Sequence, residues 1–204
     1  MSLKFKIIAS LSVFVSITWL LLYLVIKPIF PIVNQYYFPQ QTVTYLVHKI
    51  PVYIHIISAC IALMIGWIQF VPSIRDNHKK LHSIIALIYF VAVLVGGFSA
   101  LYISQFAYAG NLGWTSTIGF ATLAILWIFS IIKSYLALKN KEYNRHKRWL
   151  LRNYAYTFAA VTLRIYLPFA SIDMANFYPL LAWLCWVPNA LVINWYIAKF
   201  PKTT

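Results

Sequence analysis

The chain has 204 residues, 62% of them hydrophobic and 10% charged, with a mean hydropathy of +0.75. A soluble domain carries roughly 25% charged residues, so this composition excludes a globule covered by water. The formal net charge is +14, from 17 Lys and Arg against 3 Asp and Glu; the positions of those cations decide whether it points to nucleic acid or to a membrane.

Six apolar runs follow one another, at about residues 7–26, 50–71, 81–103, 114–138, 149–169 and 177–200. Each approaches or exceeds the ~20 residues with which a helix spans the hydrocarbon core. They predict an all-α integral membrane protein of six transmembrane helices, with residues 1–204 forming a single transmembrane domain. The first run follows MSLKFK and begins like a secretory signal. It is too long for an ordinary signal core and no small-x-small cleavage site closes it, so it is expected to stay as an anchor. The segment Lys27–Lys49 has three prolines and an apolar middle, and is expected to lie along the membrane surface.

Run two opens with Pro51 in its first turn, where the missing N–H has no intrahelical role. Cys60 and Cys185 fall inside runs, where an unactivated thiol behaves as a small hydrophobe, and no disulfide is expected. Between runs two and three lie Arg75, Lys79 and Lys80. Around the junction of runs four and five lie Lys133, Lys139, Lys141, Arg145, Lys147, Arg148 and Arg152. Pro188, beside Asn189, is expected to kink run six. Tyr36, Tyr37, Trp114, Trp149, Tyr178 and Trp195 lie near run ends, where amphipathic rings anchor helices. With Lys4, Lys6, Lys199 and Lys202 added, every cation except Lys27, Lys49 and Arg164 falls on one side of a six-helix topology. That bias predicts both termini inside (N-in, C-in). It explains the net charge without nucleic acid and leaves a basic surface for anionic lipid headgroups.

Ionisable and polar groups inside spans are costly, which makes them the first functional candidates. On run five, His146, Asn153, Thr157 and Arg164 stand 7, 4 and 7 residues apart. At ~100° per residue they share one face. If the helix begins by residue 146, this polar stripe runs roughly 27 Å, from one membrane surface toward the other. On run two, His55 shares a face with Ala59, Ala62, Gly66 and Gln69; on run three, His82 does so with Ala86, Tyr89, Gly96 and Ala100. Small residues allow close helix packing around a hydrogen-bonded histidine; they also leave room for a flat cofactor. His48 and His55 are placed toward the outer side, and His78, His82 and His146 toward the inner side. His78 and His82 are four apart, but Asp76 is the only carboxylate near them and no metal site is expected. The three acids, Asp76, Glu142 and Asp173, all fall in predicted loops, so no intramembrane carboxylate pair exists for acid–base work. No catalytic residue is assigned. Arg164 is expected either to pair with Asp173 or to snorkel to the headgroups.

The strings HIISACIALMIGWIQF at 55–70, LH at 81–82, RHKRWLLRNYAYTFAAVTLRIYLP at 145–168 and AWLCWVPNALV at 182–192 resemble a bacterial family of predicted membrane proteins, domain of unknown function 2306. The resemblance covers about residues 50–198 and implies a multi-pass protein of the bacterial inner (cytoplasmic) membrane. It marks His55, His82, His146, Arg148, Arg152 and Arg164 as characteristic positions. Where that family's pattern shows a glycine soon after the second histidine, this sequence has Ser83–Ile84–Ile85–Ala86. The resemblance brings no activity with it. The layout is also similar to the six-helix, two-haem b-type cytochromes. That similarity implies a core four-helix bundle from helices two to five. It further implies haem b as cofactor, with His82 and His146 as inner ligands and His55 as an outer one. Run four has no histidine to pair with His55. The expected function is therefore a haem-b-binding redox or haem-handling membrane protein. The alternative is a non-redox binding, accessory or transport module. It would contact anionic lipid, a partner membrane protein or a second copy of itself, with Asn153, Thr157, Arg164, Arg148 and Arg152 as its polar face. A lipid- or isoprenoid-directed enzyme, with His146 and Arg152 gripping a phosphate, is disfavoured by the lack of positioned acids.

Overall fold

The computed structural model describes residues 3–26, 46–170 and 173–199. Residues 27–45 of the expected surface loop, with Lys27, Tyr36 and Tyr37, lie outside them, as does Lys202. The described residues are helical. Helix α1 (Leu3–Leu21) continues into a π-helical turn (Leu22–Ile26), and α2 (Lys49–Gly66) into a 3-10 turn (Trp67–Phe70). A short α3 (Pro72–Asn77) precedes the long α4 (Lys79–Ser104). After a 3-10 turn (Gly110–Leu112) come α5 (Thr115–Lys139), α6 (Tyr143–Thr157), α7 (Ala159–Ala170), α8 (Met174–Leu184) and α9 (Val187–Lys199).

Among the described residues, five stretches are long and apolar enough to cross a membrane: Phe5–Ile26, Lys49–Phe70, Lys79–Ser104, Thr115–Lys139 and Ala175–Lys199. They coincide with runs one to four and six. Run five does not qualify by this measure, because its helix starts early, at Tyr143, and is divided at Phe158 into α6 and α7. No proline or glycine causes that division. Instead, Thr157 Oγ1 donates back to Asn153 O at 3.0 Å, a local bond that competes with the backbone ladder and bends helices. Val161 N then bonds Phe158 O, a tightened i→i−3 turn. Run six is also divided, at Cys185–Trp186, so the kink expected at Pro188 is a break just upstream of it. Pro188 offers no N–H to Leu184 O and its ring would press on that carbonyl. The helix therefore stops at Leu184, and Pro188 becomes the second residue of α9, a position that tolerates it.

The chain forms two compact units, Met1–Tyr108 and Ala109–Thr204. In the first, α2 packs along α4 and α1 rests on α2. The α2 side contributes Ile56, Ala62, Leu63 and Gly66, and the α4 side Ala92, Val93, Gly96 and Gly97. Such small residues let the two backbones approach, which is how helices gain dispersion contacts when lipid is as apolar as they are. Ser12 and Ser16 of α1 are fully buried and satisfy their hydroxyls on Ile8 O and Ser12 O of their own helix. The remaining surface of α4 is apolar and exposed at Leu87, Val91, Val95 and Phe98, as an acyl-chain environment requires.

In the second unit, α5 is flanked by α6 and by α8. Gly119 makes the second contact possible: a Cβ there would sit 2.9 Å from Ala182 Cβ and 3.0 Å from Ala182 O. Gly110 turns the chain into α5 at φ +59°, close against the carbonyl of Ala175. Where runs five and six are divided, Ala159, Cys185 and Trp186 form one buried cluster with Tyr156, Trp183 and Val187 around it.

Candidate functional site

The polar stripe of run five is present on α6 and is largely consumed by α5. Trp127, Ser130 and Ser134 line a buried face of α5 at spacings of 3 and 4. His146, Asn153 and Thr157 meet that face. Asn153 is fully buried; its Nδ2 donates to Trp127 O at 2.7 Å and to Ser130 Oγ at 2.9 Å. Trp127 Nε1 donates to Thr157 Oγ1 at 2.8 Å. Asn153 and Thr157 thus act as interhelical ties. Across the break, Thr162 Oγ1 and Asn189 Nδ2 meet at 3.0 Å, and Asn189 also reaches Cys185 O at 3.1 Å. Arg164 lies beyond the break in α7, where its Nη1 donates to Ala160 O at 3.1 Å. Asp173 instead caps α8, accepting from Asn176 N at 3.3 Å and Asn176 Nδ2 at 2.7 Å.

His146 differs from its neighbours on the stripe. It is half-buried, and its Nδ1 lies 2.9 Å from Ser134 O and 3.0 Å from Ser134 Oγ. A carbonyl oxygen only accepts, so Nδ1 carries the proton and Nε2 carries the lone pair. Ser134 Oγ keeps its own acceptor in His146 O at 3.3 Å. The first unit repeats this arrangement: His55 Nδ1 lies 3.1 Å from Gly96 O, where the small face of α4 brings backbone close to α2. His82 is half-buried in the first turn of α4. His48, at the start of α2, stacks on Phe106 at 3.8 Å between centroids and meets Tyr102 Oη at 3.2 Å. His78 is exposed, and among the described residues no cluster of three metal-binding side chains occurs.

The other face of α6 is cationic. Arg145 pairs with Glu142 at 2.9 Å. Arg152 Nε donates to Asn194 Oδ1 at 2.8 Å, and its guanidinium lies over the Trp149 ring at 4.9 Å. Arg148 is exposed and lines a surface hollow with Lys141, Glu142, Tyr143, Asn144 and Arg145. On α3, Arg75 bonds Asp76 at 2.8 Å and holds its carboxyl below the usual carboxylate range.

A family model described as predicted membrane protein, DUF2306, matches residues 52–197. The chain belongs to the DUF2306 family. No curated protein and no solved structure matches it. The DUF2306 match begins in α2 and ends in α9, so α1 lies outside it. It includes all three candidate histidines and the α5–α6 ladder.

Trp127, Ser130, Ser134 and Asn194 were not expected from the sequence as partners of the stripe or of Arg152. For Trp127, Ser130 and Ser134 the signal is the 3–4 spacing along α5, continued by Ala137; Asn194 of α9 has none of that kind.

Proposed function

We propose that this DUF2306 protein is a multi-pass protein of the bacterial cytoplasmic membrane, N-in and C-in, that binds haem b through histidine Nε2. In this topology the divided fifth run makes the sixth crossing. One observation carries the haem assignment: His146 and His55 each present Nδ1 to a backbone carbonyl of a neighbouring helix. Ligating histidines are held in this way, because the bond fixes the tautomer, orients the ring and raises the basicity of the other nitrogen. The donor set is chemically suited to haem iron. His146 and His55, each with Nδ1 held by a carbonyl, are the first candidates, and His82, half-buried like both of them, is the further one. A bound haem would supply one-electron transfer, and the protein's part is to hold the ring and set its surroundings.

The test is an absorption spectrum of the full chain purified after expression with haem supplied. A Soret band that falls sharply in His146→Ala or in His55→Ala is the expected result. A monodisperse, helical and colourless wild-type preparation refutes the assignment.

A further inference from the structure

The cationic face of α6 holds two arginines, Arg148 and Arg152, with no ion pair among the described residues. Among the described residues, Asp76 is paired with Arg75, Glu142 with Arg145, and Asp173 caps α8. Arg148 and Arg152 are one helical turn apart, so their charges repel each other. An anion bound between the two would relieve that repulsion.

Arg152 is also fixed in place. Its Nε is bonded to Asn194 Oδ1, and Asn194 in turn donates Nδ2 to Ala190 O at 2.8 Å, which sets the direction of its oxygen. The guanidinium plane rests on Trp149, and Trp149 packs edge-on against Phe129 at 5.6 Å. The pinned plane leaves the terminal Nη nitrogens without a hydrogen-bond partner among the described residues. A guanidinium held this way suits bidentate binding of phosphate oxygens, whereas a flexible ammonium does not. The indole beside it belongs to the residue type that settles at the headgroup level. At ~100° per residue Arg148 lies about 160° and Arg152 about 120° around the helix from His146, so the site does not use the face of the haem assignment.

We propose that Arg148 and Arg152 form a clamp for the phosphate of an anionic lipid headgroup, with Trp149 and Asn194 as its positioning residues. The full chain in detergent would be titrated with phosphatidylglycerol, with phosphatidylcholine and with inorganic phosphate, and bound lipid followed by native mass spectrometry. Phosphatidylglycerol should bind in preference to phosphatidylcholine. Loss of either arginine (R148Q or R152Q) should weaken phosphatidylglycerol binding roughly fivefold, and loss of both about 30-fold. K79Q with K80Q removes the same charge from the start of α4 and should leave binding unchanged. If the arginine variants fail to fold, N194A serves instead: it keeps every charge and should still weaken binding by unpinning Arg152. Equal loss in K79Q/K80Q and R148Q/R152Q would overturn the clamp in favour of a diffuse field. Unchanged binding in N194A would overturn the pinned geometry. Inorganic phosphate binding as tightly as phosphatidylglycerol would overturn the lipid as its source.

Discussion

Replacing Asn153 by alanine removes two hydrogen bonds from the centre of the α5–α6 contact, those to Trp127 O and Ser130 Oγ. Neither acceptor is stranded by the loss, because Trp127 O still receives the Ser130 hydroxyl at 3.1 Å. The cost is therefore that of the bonds and of the space left behind. Interhelical hydrogen bonds inside membranes are worth ~0.6–1.7 kcal/mol each. The truncated amide leaves a void that adds ~1 kcal/mol. The sum is about 2–4 kcal/mol, which for a chain of this size lowers Tm by roughly 5–15 °C. The assay is thermal unfolding of the purified protein in detergent, with the exposed Asn144→Ala on the same helix as control. Thr157→Val, which takes away the acceptor of Trp127 Nε1 and the back-bond to Asn153 O, should also melt below the control. A double cycle of Asn153→Ala with Ser130→Ala should show coupling of about 0.6 kcal/mol or more. An Asn153→Ala protein melting with the Asn144→Ala control would show that the stripe does not tie these helices together. The same variant should keep its Soret absorbance per folded molecule, since Asn153 touches α5 and not a ligand.

Other substitutions follow from single contacts. Gly119→Val should splay α5 from α8 at a cost of ~1–3 kcal/mol, because its Cβ meets Ala182 at 2.9 Å. Gly113→Ala has open space around it, but φ +58° with ψ −127° is a backbone conformation that side chains rarely adopt, so its cost should be ~1–3 kcal/mol, again read by thermal unfolding. Asp173→Ala removes the cap of α8 and should cost ~1 kcal/mol, most of which Asp173→Asn restores. Ser134→Ala deletes the hydroxyl near His146 but not the carbonyl that fixes its tautomer, so the Soret band should survive it.

The apolar runs made the helices legible, because a stretch that must satisfy all its backbone groups in lipid has little choice but helix. The run ends shifted by only a few residues for α2, α4 and α5. Less legible were the two breaks. Apolar content continues through residues 157–159 and 184–187, so hydropathy passes over both, and the causes are a hydroxyl back-bond and a proline two residues inside the next helix. The polar face of α6 was visible from spacing, but its partners were not. Serines at 130 and 134 are unremarkable in an apolar run until the facing asparagine and histidine are placed against them. Spacing also assumes one uninterrupted helix, whereas Arg164 lies beyond the break, in α7.

The two proposals assign the fifth run two chemistries on separate faces of α6, and they can be separated by experiment. The face of His146, Asn153 and Thr157 is held to α5 by bonds that orient an imidazole. The face of Arg148 and Arg152 is held to α9 through Asn194, by a bond that orients a guanidinium. Because the side chains project about 120–160° apart around the helix, His146→Ala should abolish or weaken haem absorbance and leave phosphatidylglycerol binding as in the wild type. Arg148→Gln with Arg152→Gln should do the reverse. Both properties falling together in each variant, with helicity intact, would show that the two faces serve one ligand, and would sink the division argued for α6.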